Sequence, residues 1–213
     1  MKKLPFFLPI LFCCFMAGCK FLVMPMEEEK VVPAPPPYNF TFELDSALNG
    51  SGTQSLPKDA RGFYHLKMWE NSFQTLSRIT GRFLWNNKPN PIPSPVEVWI
   101  EWKSSHYWVL SKNSPVIVVY KTYFNPFTGK LQTVELGTLK AQGNAIVPTV
   151  NGSSYPSSKD GSVNTMFGPV YPMKGDTVTI SAICHITKEI PTSQLFARIE
   201  KDSIVRNMRI ICE

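Results

Sequence analysis

The side chains with the widest chemical range in this 213-residue chain are three histidines, His65, His106 and His185, and five cysteines, Cys13, Cys14, Cys19, Cys184 and Cys212. Histidine does acid–base work or binds metal only beside a nucleophile, a carboxylate or further ligands. None of the three stands in such a context, and no GxSxG, HExxH, P-loop or CxxC motif occurs. His185 follows Cys184 directly, and neighbours in a strand point to opposite faces, so the two do not converge on one metal. Glu97 and Glu101 fall on one strand face, as a glycosidase pair could, yet carboxylates on an outward face are ordinarily just solvated. Serine and threonine with no base beside them are turn and strand residues. These observations predict a non-catalytic protein without cofactor or metal. A hydrolase with an unrecognised site is the reading they leave over.

A second constellation is aromatic. Residues 96–110 read VEVWIEWKSSHYWVL. With Ser104-Ser105 as a two-residue hairpin turn, strands 96–103 and 106–112 pair, and Val98, Ile100, Trp102, Tyr107 and Val109 share a core face. On the other face Trp99 lies opposite Leu110, Glu101 opposite Trp108, and Lys103 opposite His106. Either a helix covers those rings, or Trp99, His106, Tyr107, Trp108 and Leu110 form an exposed binding patch for protein, glycan or membrane.

Most of the chain that positions these residues alternates as strands do. Tyr38, Phe40, Phe42 and Leu44 share one face, and further strands are expected at 96–103, 106–112, 115–124, 130–140, 145–150, 176–187, 193–200 and 204–212. Asn125-Pro126-Phe127-Thr128-Gly129 is a turn that folds the two central strands into a hairpin. One segment differs: Phe63, Leu66, Trp69, Phe73, Leu76, Ile79 and Phe83 recur at intervals of three and four, which predicts an amphipathic helix ending near Gly81. A strand pair over the same residues is the alternative, since aromatic residues also suit sheets. The expected fold is mainly β, an antiparallel sandwich-like or barrel-like domain with one amphipathic helix packed on it.

The beginning of the chain carries a different signal. Lys2 and Lys3 precede an apolar run from Leu4 to Met16, which is shorter than the ~20 residues that span a bilayer. The run ends in Met16-Ala17-Gly18-Cys19, which resembles the lipobox of bacterial lipoproteins, with Met16 where leucine is commonest. The resemblance implies cleavage of residues 1–18 as a signal peptide and lipidation of Cys19, and Lys20 in place of aspartate favours the outer membrane. One acyl chain holds a protein only reversibly, at about 10⁴ M⁻¹, whereas a second chain makes the anchor stable. Residues 19–37, with Glu27, Glu28, Glu29 and four prolines from Pro33 to Pro37, then read as a tether reaching up to ~55 Å at roughly 3.1 Å per residue, before a β-rich globular domain at 38–213.

With Cys13 and Cys14 removed and Cys19 lipidated, Cys184 and Cys212 remain. Cys184 shares a strand face with Val178, Ile180, Ala182 and Ile186, and Cys212 with Met208 and Ile210, so both thiols point inward. An oxidising compartment lets them pair, and a disulfide between them is expected. The formal charge is +6 and the basic residues are scattered, which argues against nucleic acid as a partner. The expected function is that of a lipid-anchored, non-catalytic envelope protein docking a protein partner, such as part of a secretion, conjugation or pilus assembly. A surface module that binds glycan or a host ligand is the alternative.

Overall fold

The structure is a computed structural model and describes residues 39–86, 96–112, 115–141, 148–150, 152–191 and 197–213. The expected signal peptide, lipidated Cys19 and tether therefore lie outside the described residues. Among the described residues eleven strands occur in chain order: β1 (Phe40–Asn49), β2 (Tyr64–Leu66), β3 (Ser77–Trp85), β4 (Val96–Ser104), β5 (His106–Leu110), β6 (Val116–Asn125), β7 (Lys130–Lys140), β8 (Ser153–Ser154), β9 (Ser162–Phe167), β10 (Thr177–Pro191) and β11 (Ala197–Cys212). A short 3₁₀ turn, Tyr171–Met173, precedes β10.

The strands make three sheets, in the orders β1-β3-β9, β2-β11-β10-β4-β8 and β5-β6-β7. Every pair is antiparallel except β11 with β2. The fold is mainly β, as its alternating sequence predicts, and it curls like half a barrel. The first two sheets bury one common core. Phe42, Ile79, Phe83, Val163 and Phe167 come from one, and Val98, Ile100, Trp102, Ile180, Cys184, Ile186 and Ile210 from the other. At roughly 1.5–3 kcal/mol for each large apolar side chain taken from water, this layer is the main source of stability. A smaller cluster of Ile117, Val119, Val170 and Met173 underlies the third sheet.

Three expectations are corrected. The segment 63–83 is not a helix: among its residues β2 and β3 are strands, joined by turns and bends. From Ser77 onward the buried positions are Ser77, Ile79, Gly81 and Phe83, a period of two. The interval of four between Ile79 and Phe83 fits a helix turn, but it is also an even number and so one face of a strand. Leu76 and Trp69, which the helix would have buried, are 38% and 58% exposed.

Nor do 96–103 and 106–112 form a hairpin. β4 pairs with β10, placing Trp99 opposite His185 and Glu101 opposite Ile183, whereas β5 pairs with β6. At Ser105 the chain bends from one sheet into another. Its N–H donates to Thr179 O at 2.9 Å, and its carbonyl accepts from Thr122 N at 2.7 Å. Val98, Ile100 and Trp102 are core as expected, but Tyr107 and Val109 are 38% and 50% exposed. A strand that changes sheets in this way carries only half of its alternating face into the main core.

The third correction concerns the thiols. Cys184 and Cys212 are both buried and both free. β10 and β11 pair with Cys184 opposite Ile204 and Val178 opposite Ile210. Cys212 thus lies eight positions along β11 from the partner of Cys184, or about 27 Å at ~3.4 Å per residue. A disulfide needs Cα atoms roughly 4.4–6.8 Å apart.

The turn at Asn125–Gly129 forms as expected and joins β6 to β7, with Gly129 at φ 63. Asn125 Oδ1 accepts from Phe127 N at 2.9 Å, which closes the turn. The strand expected at 193–200 is described only from Ala197, and from there it runs without a break through the one expected at 204–212, as β11. The strand expected at 145–150 is described only from Pro148, where Val150 makes a single bridge to Phe167.

A candidate docking surface on the projecting hairpin sheet

Sheet β5-β6-β7 has two unlike faces. On the inner one Ile117 and Val119 are fully buried, with Trp108, Leu136 and Leu139 packed against their cluster. On the outer face, register places Val109 opposite Val118, Tyr107 opposite Tyr120, and Phe124 opposite Leu131. The rings of Tyr107 and Tyr120 stack with centroids 5.4 Å apart. Phe124 is 61% exposed, Leu131 72%, and Phe127 at the turn 96%. Apolar side chains thus lie on this face from Val109 to Tyr120 and again at the tip, with the Thr122–Thr133 pair between them.

Past Lys121, β6 has no third strand beside it. Thr122 N still donates to Ser105 O, but among the described residues Tyr123–Asn125 and Lys130–Gln132 pair only with each other, so the end of the hairpin projects as a two-stranded ribbon. Such a ribbon is marginal alone in water. Polar cross-links hold it: Thr122 Oγ1 lies 3.0 Å from Thr133 Oγ1, and Gln132 Oε1 accepts from Tyr123 Oη at 3.0 Å and from Asn125 Nδ2 at 2.8 Å. The ribbon therefore presents Phe124, Phe127 and Leu131 to solvent on a held backbone. Large exposed apolar side chains gathered in this way mark interaction sites.

The base of the sheet is fixed by a buried polar group. His106 is fully buried, with Nδ1 2.9 Å from Ser105 Oγ and Nε2 3.6 Å from Asp176 Oδ2. Ser105 Oγ also accepts from Thr179 N at 2.9 Å, so it joins His106 to the backbone of β10. Nε2 faces Asp176 at a separation too long for a hydrogen bond. Lys121 Nζ donates to the other oxygen of Asp176. Burial pushes the His106 pKa down, while the Asp176 carboxylate opposes that shift. A serine, a histidine and an aspartate do meet here, but the imidazole has no exposed surface and the serine oxygen is engaged by backbone. The arrangement locks β5 to β10 through Ser105, whose Oγ accepts from Thr179 N and whose N–H donates to Thr179 O.

The residues of the expected binding patch are brought to separate places. Tyr107 lies in the exposed stripe, and Leu110, half exposed, lies on the opposite side of the same strand. Trp108 packs into the small core and His106 is buried. Trp99 stands on the five-stranded sheet, its ring 4.1 Å from that of His185 at 18°. Tyr120, Phe124, Phe127 and Leu131 were not among the expected contact residues. Their signal was an aromatic residue in the middle of a turn, Pro126-Phe127-Thr128-Gly129, where burial is least available. Comparison with protein-family models, with curated proteins and with solved structures returns no match.

Proposed function

We propose that this chain is a lipid-anchored, non-catalytic component of a bacterial cell envelope that docks a protein partner, as an accessory or structural part of a secretion, conjugation or pilus assembly. The observation that carries the docking reading is the exposed stripe of Tyr107, Val109, Phe124, Phe127 and Leu131 on a projecting hairpin. Interface energy concentrates in a few aromatic anchors that fill pockets on a partner, and Phe127 and Phe124 have the exposure that role needs. The lipid anchor rests on the lipobox-like Met16-Ala17-Gly18-Cys19, and the reach on the proline-rich segment after it.

Chemical cross-linking in intact cells, followed by purification of the full chain in mild detergent, tests the reading. The wild-type chain is expected in a discrete adduct with another envelope protein, lost when Phe124, Phe127 and Leu131 are all changed to serine. A monomer with no adduct at every salt concentration overturns the docking role, and a chain released in soluble form without detergent overturns the anchor.

A further inference from the structure

The outer face of the five-stranded sheet carries a site that the hairpin does not use. β4 and β10 pair so that Trp99 and His185 are neighbours on that face, and their rings stack at 4.1 Å. One face of the Trp99 indole is therefore covered. His185 is itself held, because its Nε2 lies 3.2 Å from Glu101 Oε2, and Glu101 Oε1 is 3.1 Å from Lys103 Nζ. This relay from Lys103 through Glu101 and His185 fixes the indole before any ligand arrives.

The chain beyond β8, on the far edge of β4, supplies an opposite wall. Tyr155, 74% exposed, and Pro156 line with Trp99, Val96 and Glu97 an open cleft of about 530 Å³. Glu97 stands on the same strand face as Trp99, two residues away, and no ion pair engages its carboxylate among the described residues. Lys188 lies on the other face of the sheet, over the Phe40 ring at 5.0 Å, and Lys201, which shares the face of Glu97, stands two strands away opposite Thr187. The cleft thus combines two aromatic walls with a carboxylate that no ion pair engages among the described residues.

We infer that this cleft between Trp99 and Tyr155 receives an arginine side chain of the protein partner. A planar guanidinium stacks on aromatic faces and forks its N–H groups onto a carboxylate, and an indole is the best aromatic surface for a cation. A neutral apolar group would leave Glu97 unpaired. The inference rests on the docking reading for the origin of the arginine, but the cleft is testable without any partner.

The full-length chain in detergent, with ¹⁵N-labelled indoles, gives five tryptophan side-chain signals, of which Trp99 is assigned by its absence in Trp99→Phe. N-acetyl-arginine-methylamide is titrated against its neutral isostere, the citrulline analogue, and against chitotetraose. The arginine compound is expected to shift the Trp99 signal saturably while leaving Trp102, buried and bonded to Ser154 Oγ, in place as the reporter of folding. Glu97→Gln and Tyr155→Ala should each raise the apparent Kd about threefold or more, the scale of an exposed cation–π contact or ion pair. Equal shifts from the citrulline analogue, tighter binding of chitotetraose, or no shift at all would each overturn the assignment. Arginine binding with no cross-linked partner would sink the docking reading alone, whereas an intact adduct with a silent cleft would sink this one.

Discussion

His106 and His65 titrate in opposite senses because one is desolvated and the other is paired. Burial lowers the folded pKa of His106 below its ordinary 6.5 despite Asp176. Its neutral form belongs to the fold, so its contribution is fully present above pH 6.5 and is lost as the pH falls toward the folded value. His65 Nδ1 lies 2.5 Å from Glu213 Oε1, and that hydrogen bond raises its pKa. Its contribution is complete below 6.5 and disappears as the pH rises through the raised value. Urea midpoints measured from pH 5 to 8 should show His106→Gln abolishing part of the acid-side loss of stability and His65→Gln part of the alkaline-side loss. Identical slopes in both variants and wild type would show that neither group differs between folded and unfolded chain.

The thiols give a second prediction for individual residues. Burial pushes Cys184 and Cys212 up to about 12, so neither is a nucleophile in the folded chain. Iodoacetamide at pH 8 should leave both unlabelled until the chain is denatured, and should then label both without reductant. Peptide masses read this directly, and unlabelled thiols after denaturation would restore the disulfide. Their inward direction was legible in the sequence, since alternation within one strand assigns a face. Their separation was not, because it depends on the register between two strands.

Among the elements, β3 is central to its sheet, with β1 on one side and β9 on the other. At Gly81 a Cβ would stand 2.7 Å from Glu43 O and 3.3 Å from Val163 Cγ2, both in neighbouring strands. Gly81→Ala must push those strands apart and should cost about 1–3 kcal/mol, the usual penalty of overpacking. Gly152→Ala, which meets nothing within 4 Å, should stay within about 0.5 kcal/mol of wild type. Urea unfolding of the two variants checks the contrast, and equal stability would mean that β1 and β3 yield freely. This same glycine had suggested the end of a helix. A helix stop and a close strand approach both call for a residue without Cβ, so composition alone does not separate them.

At the scale of the whole molecule, the stripe on the hairpin is surplus to folding. Phe124, Phe127 and Leu131 are so exposed that changing all three to serine should move the thermal midpoint by less than about 5 °C, since surface substitutions outside the core stay within roughly 0.5 kcal/mol each. Differential scanning calorimetry measures it. A large fall would make these side chains part of a core, and the docking role would lose its carrier. The β class, the inward faces of Val98, Ile100 and Trp102 and of Val178 through Ile186, and the β6–β7 hairpin were each determined by sequence alone, because each depends on neighbours within one strand or one turn. Tertiary structure decided that β4 pairs with β10 instead of β5, that 63–83 holds strands, and that Trp99 faces Tyr155 while Tyr107 joins Phe124. Strand alternation specifies two faces but no partner. The partner is chosen by burial summed over whole sheets, and that sum exists only once distant segments have met.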